Sequence, residues 1–205
     1  MEKITLNTEQ KDGLQELANI GAGHASTALS QMINRDVKMG IPHVEVIPLA
    51  EAGSYIQHEQ IVVGIFLKIS DEIPSYVMMI IPRDSAFALA DLLLGQQSQP
   101  GERILSEMDT SALSEVANVM ICSFFDSISA LLGMSVVPGP PHLAYDIPEA
   151  VLDYVLIQIG EVSNDVFLFN VDLEEEKENN FEIHMFLLPE PDSVNVLLKR
   201  MGLKQ

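Results

Sequence analysis

Asp12-Gly13-Leu14-Gln15-Glu16-Leu17-Ala18-Asn19, followed after 22 residues by Pro42, is answered later by Ser111-Ala112-Leu113-Ser114-Glu115-Val116-Ala117-Asn118, followed after 22 residues by Pro141. Every element is displaced by 99 positions. Laid ungapped on 105–142, residues 6–43 agree at ten of 38 positions. Average residue usage gives roughly two or three such matches by chance. The chain therefore reads as a tandem duplication of an element of about 100 residues. The expected organisation is one domain, 1–205, built of a first repeat 1–100 and a second repeat 101–205. Further along the offset drifts: 61–70 resembles 154–163, and Met79 through Pro82 to Gly95 resembles Phe186 through Pro189 to Gly202.

The pattern also sets the secondary structure. Asn7 with Gln10 opens a first long helix as a capping-box-like pair, and Ser106 with Asp109 opens the second. Apolar positions Leu14, Leu17, Ala18, Ala25, Ala28, Leu29, Met32 and Ile33 recur at helical spacing. The first helix is expected to end at 34–36, and the second at Leu132 before Gly133. Strands are expected at 43–49, 61–69 and 76–81, then at 143–146, 154–161, 166–171 and 183–188. Shorter helices close the halves at 83–94 and 191–201. Residues 61–67 are apolar on both faces, which marks a central strand covered on both sides. The class is α/β (α+β): a pseudo-twofold helix-strands-helix repeat sharing one sheet, with two long exposed helices that carry the motif.

Composition narrows the function. Of the 205 residues 47% are apolar and 20% charged, which is globular rather than disordered. The formal net charge of −19 makes nucleic acid and anionic membranes poor partners and a basic protein patch a better one. The acidic run 172–178 is expected to be a solvated hairpin connection. The N-terminus has no signal-peptide character, no apolar run reaches 18 residues, and insertion into a membrane is not expected. A single cysteine, Cys122, excludes an internal disulfide. The expected compartment is the cytoplasm.

On a helix, positions i, i+4 and i+7 line one face, so Asp12, Glu16 and Asn19 are stacked, with Gly23, Ser26 and Ser30 extending the stripe. Ser111, Glu115, Asn118, Cys122 and Ser129 do the same, interrupted by Phe125. One such pair is what any polar helix face contains. Asn, however, is a mediocre helix former that prefers caps and turns. Its recurrence mid-helix, each time three residues after Glu, needs a reason that solubility does not supply. Other chemistries find little footing. No Cys-x5-Arg signature surrounds Cys122, and His24, His43, His58, His142 and His184 form no close metal-ligand grouping. Gly21-Ala22-Gly23 lies inside a helix pattern and suits close helix approach rather than a nucleotide loop.

Asp/Ser-x3-Glu-x2-Asn-x22-Pro, present twice in full, resembles the signature of the CheC/CheX/FliY phosphatases of bacterial chemotaxis, and the paired motifs and chain length resemble the CheC type within it. The resemblance spans essentially the whole chain. It implies hydrolysis of the aspartyl phosphate on the response regulator CheY, with Glu16, Asn19, Glu115 and Asn118 as catalytic residues. Asp12 and Ser111 fall at the edge of the contact, and Pro42 and Pro141 shape the turn from helix to strand. No cofactor is implied for this chain; the Mg²⁺ belongs to CheY. The resemblance also implies a second partner, the receptor deamidase CheD, and a monomer or a heterodimer with it. A non-enzymatic adaptor that binds CheD and phosphorylated CheY is the alternative.

Overall fold

The computed structural model describes residues 6–48, 51, 61–96, 103–160, 165–175 and 182–203. Helix α1 (Thr8–Ile33) leads through β1 (Val37–Met39) to β2 (His43–Pro48), β3 (Val62–Asp71), β4 (Ser75–Pro82) and α2 (Arg83–Leu94). The second half runs α3 (Glu107–Leu132), β5 (Val136–Pro138), β6 (His142–Asp146), α4 (Pro148–Gly160), β7 (Asp165–Glu175), β8 (Glu182–Pro189) and α5 (Pro191–Arg200). Both long helices begin with complete capping boxes, Asn7 with Gln10 and Ser106 with Asp109, as expected from the sequence. Each box satisfies orphan N–H groups and contributes about 1 kcal/mol. Both helices stop at a left-handed residue, Asn34 (φ 53°) and Gly133 (φ 61°), again 99 positions apart.

Strands from both halves form one eight-stranded sheet, ordered β1-β7-β8-β4-β3-β5, with β2 also on β7 and β6 also on β3. The two halves meet at the antiparallel β4–β8 pair, where Ser75 faces Pro189 and Ile80 faces His184. The outer strands cross over. β1 and β2 pair with β7 of the second half, and β5 and β6 pair with β3 of the first. Each half thus completes the other's part of the sheet.

One sheet face packs under the helices. Val63, Ile65, Leu67 and Ile69 of β3 join Leu14, Leu17 and Leu29 of α1 and Leu113, Val116 and Ile121 of α3 in the main core. The long helices touch closely at Gly21, where a side-chain Cβ would come within 2.5 Å of the Phe124 ring. Gly23 has no neighbour of this kind, so the expected close approach rests on Gly21 alone. By length and composition α3 could cross a membrane; Leu113, Val116, Met120, Ile121, Phe124 and Ile128 are buried in the core with α1 and the sheet.

The other sheet face is covered by an element the sequence reading mistook. The strand expected at 154–161 is, through Gly160, the body of α4. A short apolar run reads alike as a buried strand or a buried helix. Pro148 starts this one as a helix, and Val151 and Leu152 pack on Val62, Phe66, Met78 and Ile80. Hence the match of 61–70 to 154–163 fails, and β7 takes the place of β3 in the order of elements. β3 is buried on both faces as expected. The acidic run also divides: 172–175 belong to β7, with 172–174 paired to β8 and Glu175 to β1, while 176–178 lie outside the described residues. The three-residue strands β1 and β5 had no sequence counterpart.

Gly64 sets the distance between α4 and the sheet, since a Cβ there would lie 2.0 Å from Cγ1 of Val151. Gly64→Ala is expected to destabilise the fold by about 1–3 kcal/mol through overpacking. Chemical denaturation measures the loss, and adding Val151→Ala should recover part of it. An unchanged unfolding midpoint for the single variant would refute this account.

Candidate functional site on the two long helices

Burial of Leu14, Leu17 and Ala18 fixes the rotation of α1 and turns Asp12, Glu16 and Asn19 to solvent. These side chains share the outer face, one helical turn apart between Glu16 and Asn19. Gln15, at i−4 from Asn19, borders the same face and is half-buried. Its side-chain amide donates to the carbonyl of Pro42. Pro42 itself is buried, with its turn held against the motif helix. The distant proline of the pattern therefore shapes the entry to β2, and Gln15 is the residue that ties it down. Sequence reasoning missed Gln15 because its counterpart in the second copy is Ser114.

The stripe ends sooner than the spacing suggested. Ser26 is buried, and its hydroxyl donates to the Val37 carbonyl at 3.1 Å. The Val37 N–H donates in turn to the Ser30 hydroxyl at 3.1 Å. Ser26 and Ser30 thus fasten β1 to α1 rather than facing a partner. A β-strand edge with both backbone groups satisfied by helix side chains needs no further strand there.

On α3, Ser111 and Glu115 are exposed and Asn118 is half-buried. Here the copies differ. Cys122, in the place of Gly23, approaches the Asn118 Oδ1 at 3.8 Å and donates to it through a weak S–H bond. Burial pushes the Cys122 thiol up, and the carboxylates of Asp126 and Glu115 push it further in the same direction. Such a thiol stays protonated and is a poor nucleophile. Pro141 is half-buried, and its turn is anchored on the sheet, where the Gly139 N–H donates to the Lys68 carbonyl at 2.8 Å.

The repeat-related histidines are held in local structure. His43 Nε2 lies 2.8 Å from Glu45, and His142 stacks on Phe66 with ring centroids 5.6 Å apart. Among the described residues no group of three or more His, Cys, Asp or Glu side chains could hold a metal ion. Each copy thus offers a carboxylate and a carboxamide on a rigid helix face. A carboxamide can accept from and donate to a water without titrating, and a carboxylate can pair with a cation. Neither Glu nor Asn supplies an electrophile, so the arrangement is half of a site.

The model of the CheC-like family matches residues 9–46, which span the first motif. The chain is 26% identical over 200 residues to the CheY-P phosphatase CheC of Bacillus subtilis, covering 96% of each sequence. Among solved structures, Thermotoga maritima FliY superimposes with a TM-score of 0.77 at 23% identity, covering 98% of this chain and all of that one. CheX in the CheX–CheY–BeF₃–Mg²⁺ complex of Borrelia burgdorferi is similar with a TM-score of 0.54 at 16% identity, covering 84% of this chain and 96% of that one. The mixed helix and antiparallel-sheet fold is that of FliY and CheX, and the resemblance to the CheC/CheX/FliY family drawn from the doubled motif is borne out.

Proposed function

We propose that this chain hydrolyses the aspartyl phosphate of CheY, using the two helix faces as separate half-sites that the partner completes. The observation that carries the reading is the pairing of an outward Glu with an outward Asn, one turn apart, on two helices whose opposite faces are fully buried. It is supported by the CheC relative's phosphatase name and by the structural neighbour in complex with CheY.

The chemistry follows from what each side lacks. An aspartyl phosphate brings its own electrophilic phosphorus, and the receiver's Mg²⁺ offsets charge on the phosphoryl oxygens. What remains is to hold a water in line with the breaking bond. Asn19 or Asn118 accepts a hydrogen bond from that water and directs its lone pair at phosphorus. The new O–P bond forms as the bond to the aspartyl oxygen breaks, releasing inorganic phosphate and the free carboxylate. Glu16 and Glu115 pair with the receiver's active-site lysine and set the register of docking. Asp12 and Ser111 lie at the edge of each contact. The cytoplasm is the place of action, and CheD binding is a second output that rests on family resemblance alone.

The test is phosphate release from phosphorylated CheY by the wild type, Asn19→Ala and Asn118→Ala. Each single variant is expected to keep part of the acceleration, with the remainder supplied by the other copy. Binding of phosphorylated CheY by the wild type without any acceleration would replace this reading by the adaptor.

A further inference from the structure

We infer that Ile41 is an apolar anchor that seats the phosphorylated receiver on the first copy of the motif. Ile41 is 93% exposed, the most exposed large apolar side chain among the described residues. A single exposed isoleucine needs no explanation by itself. This one is held in place at both ends of a short segment. Behind it, Val37 is bonded to Ser26 and Ser30 of α1. Just ahead of it, the Pro42 carbonyl is bonded by Gln15 of the same helix.

The two attachments give the position of Ile41 along α1. From the midpoint of Ser26 and Ser30 back to Gln15, the helix axis covers about 20 Å at its usual rise. The segment from Val37 to Pro42, a strand over Val37–Met39, reaches at most about 16–17 Å. The segment therefore runs back along α1, and Ile41, one step before Pro42, comes level with the turn that bears Glu16 and Asn19. A partner whose lysine reaches Glu16 must come down beside this side chain. The row Asp12, Gln15, Glu16 and Asn19 is wholly polar, and docking on it alone would desolvate charge with no apolar contact in return. Ile41 supplies that contact, on a surface whose exposed carboxylates suit a lysine-bearing partner. The second copy has Pro140 in its place and Ser114 in place of Gln15, so the anchor belongs to the first copy.

This inference rests on the proposed docking of CheY, and its test separates the two. In a Glu115→Arg, Asn118→Ala background only the first copy remains. Adding Ile41→Ser is expected to raise KM about tenfold with kcat unchanged. It should weaken binding of CheY carrying beryllofluoride and Mg²⁺ by the same factor, and Ile41→Leu should restore both. Ile157→Ser, on α4 at another exposed isoleucine, is the control for loss of surface apolarity. Turnover with no change in KM or affinity on Ile41→Ser, or an equal change from Ile157→Ser, overturns the anchor and leaves the phosphatase. Affinity weakened by Ile41→Ser without any turnover in the background protein keeps the anchor and removes the phosphatase. No binding of the loaded receiver by the background protein overturns both.

Discussion

Replacing Asn19 and Asn118 together by alanine is expected to return phosphate release from CheY to the rate of the receiver alone. The glutamates remain in this variant, so the receiver still docks. The water, however, loses the group that fixes it in line. Displacement of a reacting group by about 1 Å costs on the order of 10²-fold in rate, and removal of one preorganised hydrogen-bonding group costs a similar factor. The acceleration should therefore fall by about 10²-fold or more, with affinity for the loaded receiver nearly unchanged. Unfolding is no rival explanation, because alanine is the better helix former at both positions. Asn19 is exposed, and among the described residues the hydrogen bond lost at Asn118 is the weak one from Cys122. A thermal melt at or above that of the wild type, combined with lost turnover, is the result that supports water positioning. Full turnover in the double variant would end the proposal.

The long helices were legible because their signals are local. Asn7 with Gln10, Ser106 with Asp109, and the stops at Asn34 and Gly133 each lie within a few residues of the element they bound. The exposure of Glu16, Asn19 and Glu115 followed from helical spacing alone, whereas Asn118 is half-buried beside Cys122. The rest depends on contacts distant in sequence. Nothing near β2 says that it pairs with β7, where Val46 meets Phe167, 121 residues on. The α4 segment is apolar enough for either state, and its covering role is visible only against Gly64. Ser26 and Ser30 matched the polar stripe by spacing, yet their hydroxyls were taken by Val37. Gln15 carried no repeat signal, although it holds the signature proline in place. A periodic pattern says which face a residue occupies, and it cannot say what returns to cover that face.

The same limit hid Arg103, whose replacement by methionine should be the most destabilising change described here. Arg103 reaches from the approach to α3 toward both flanking helices. Its guanidinium bonds Asp91 of α2 at 2.6 Å and Asp109 of α3 at 2.9 Å, and lies 4.5 Å from the centroid of the Phe87 ring. The two carboxylates are only 4% and 6% exposed, against 24% for the arginine. Removing one member of a buried ionic group leaves uncompensated charge and costs about 3–5 kcal/mol. For a chain of this size that corresponds to a fall in Tm of roughly 6–20 °C. The effect should depend on pH. Burial alone would raise the Asp109 pKa, but hydrogen bonds from the Ser106 N–H and hydroxyl, with the charge and hydrogen bond of Arg103, outweigh it and hold the carboxyl below its usual value. A depressed carboxylate contributes stability above its unfolded pKa and loses it as pH falls through the folded one. The gap between wild type and Arg103→Met should therefore be full at pH 7 and narrow below about pH 4. Adding Asp91→Asn and Asp109→Asn to the variant should recover much of the loss at neutral pH, since no buried charge is then left unpaired. A Tm within 2 °C of the wild type, or a gap that stays constant from pH 7 to pH 3, would show that the two carboxylates do not need this arginine.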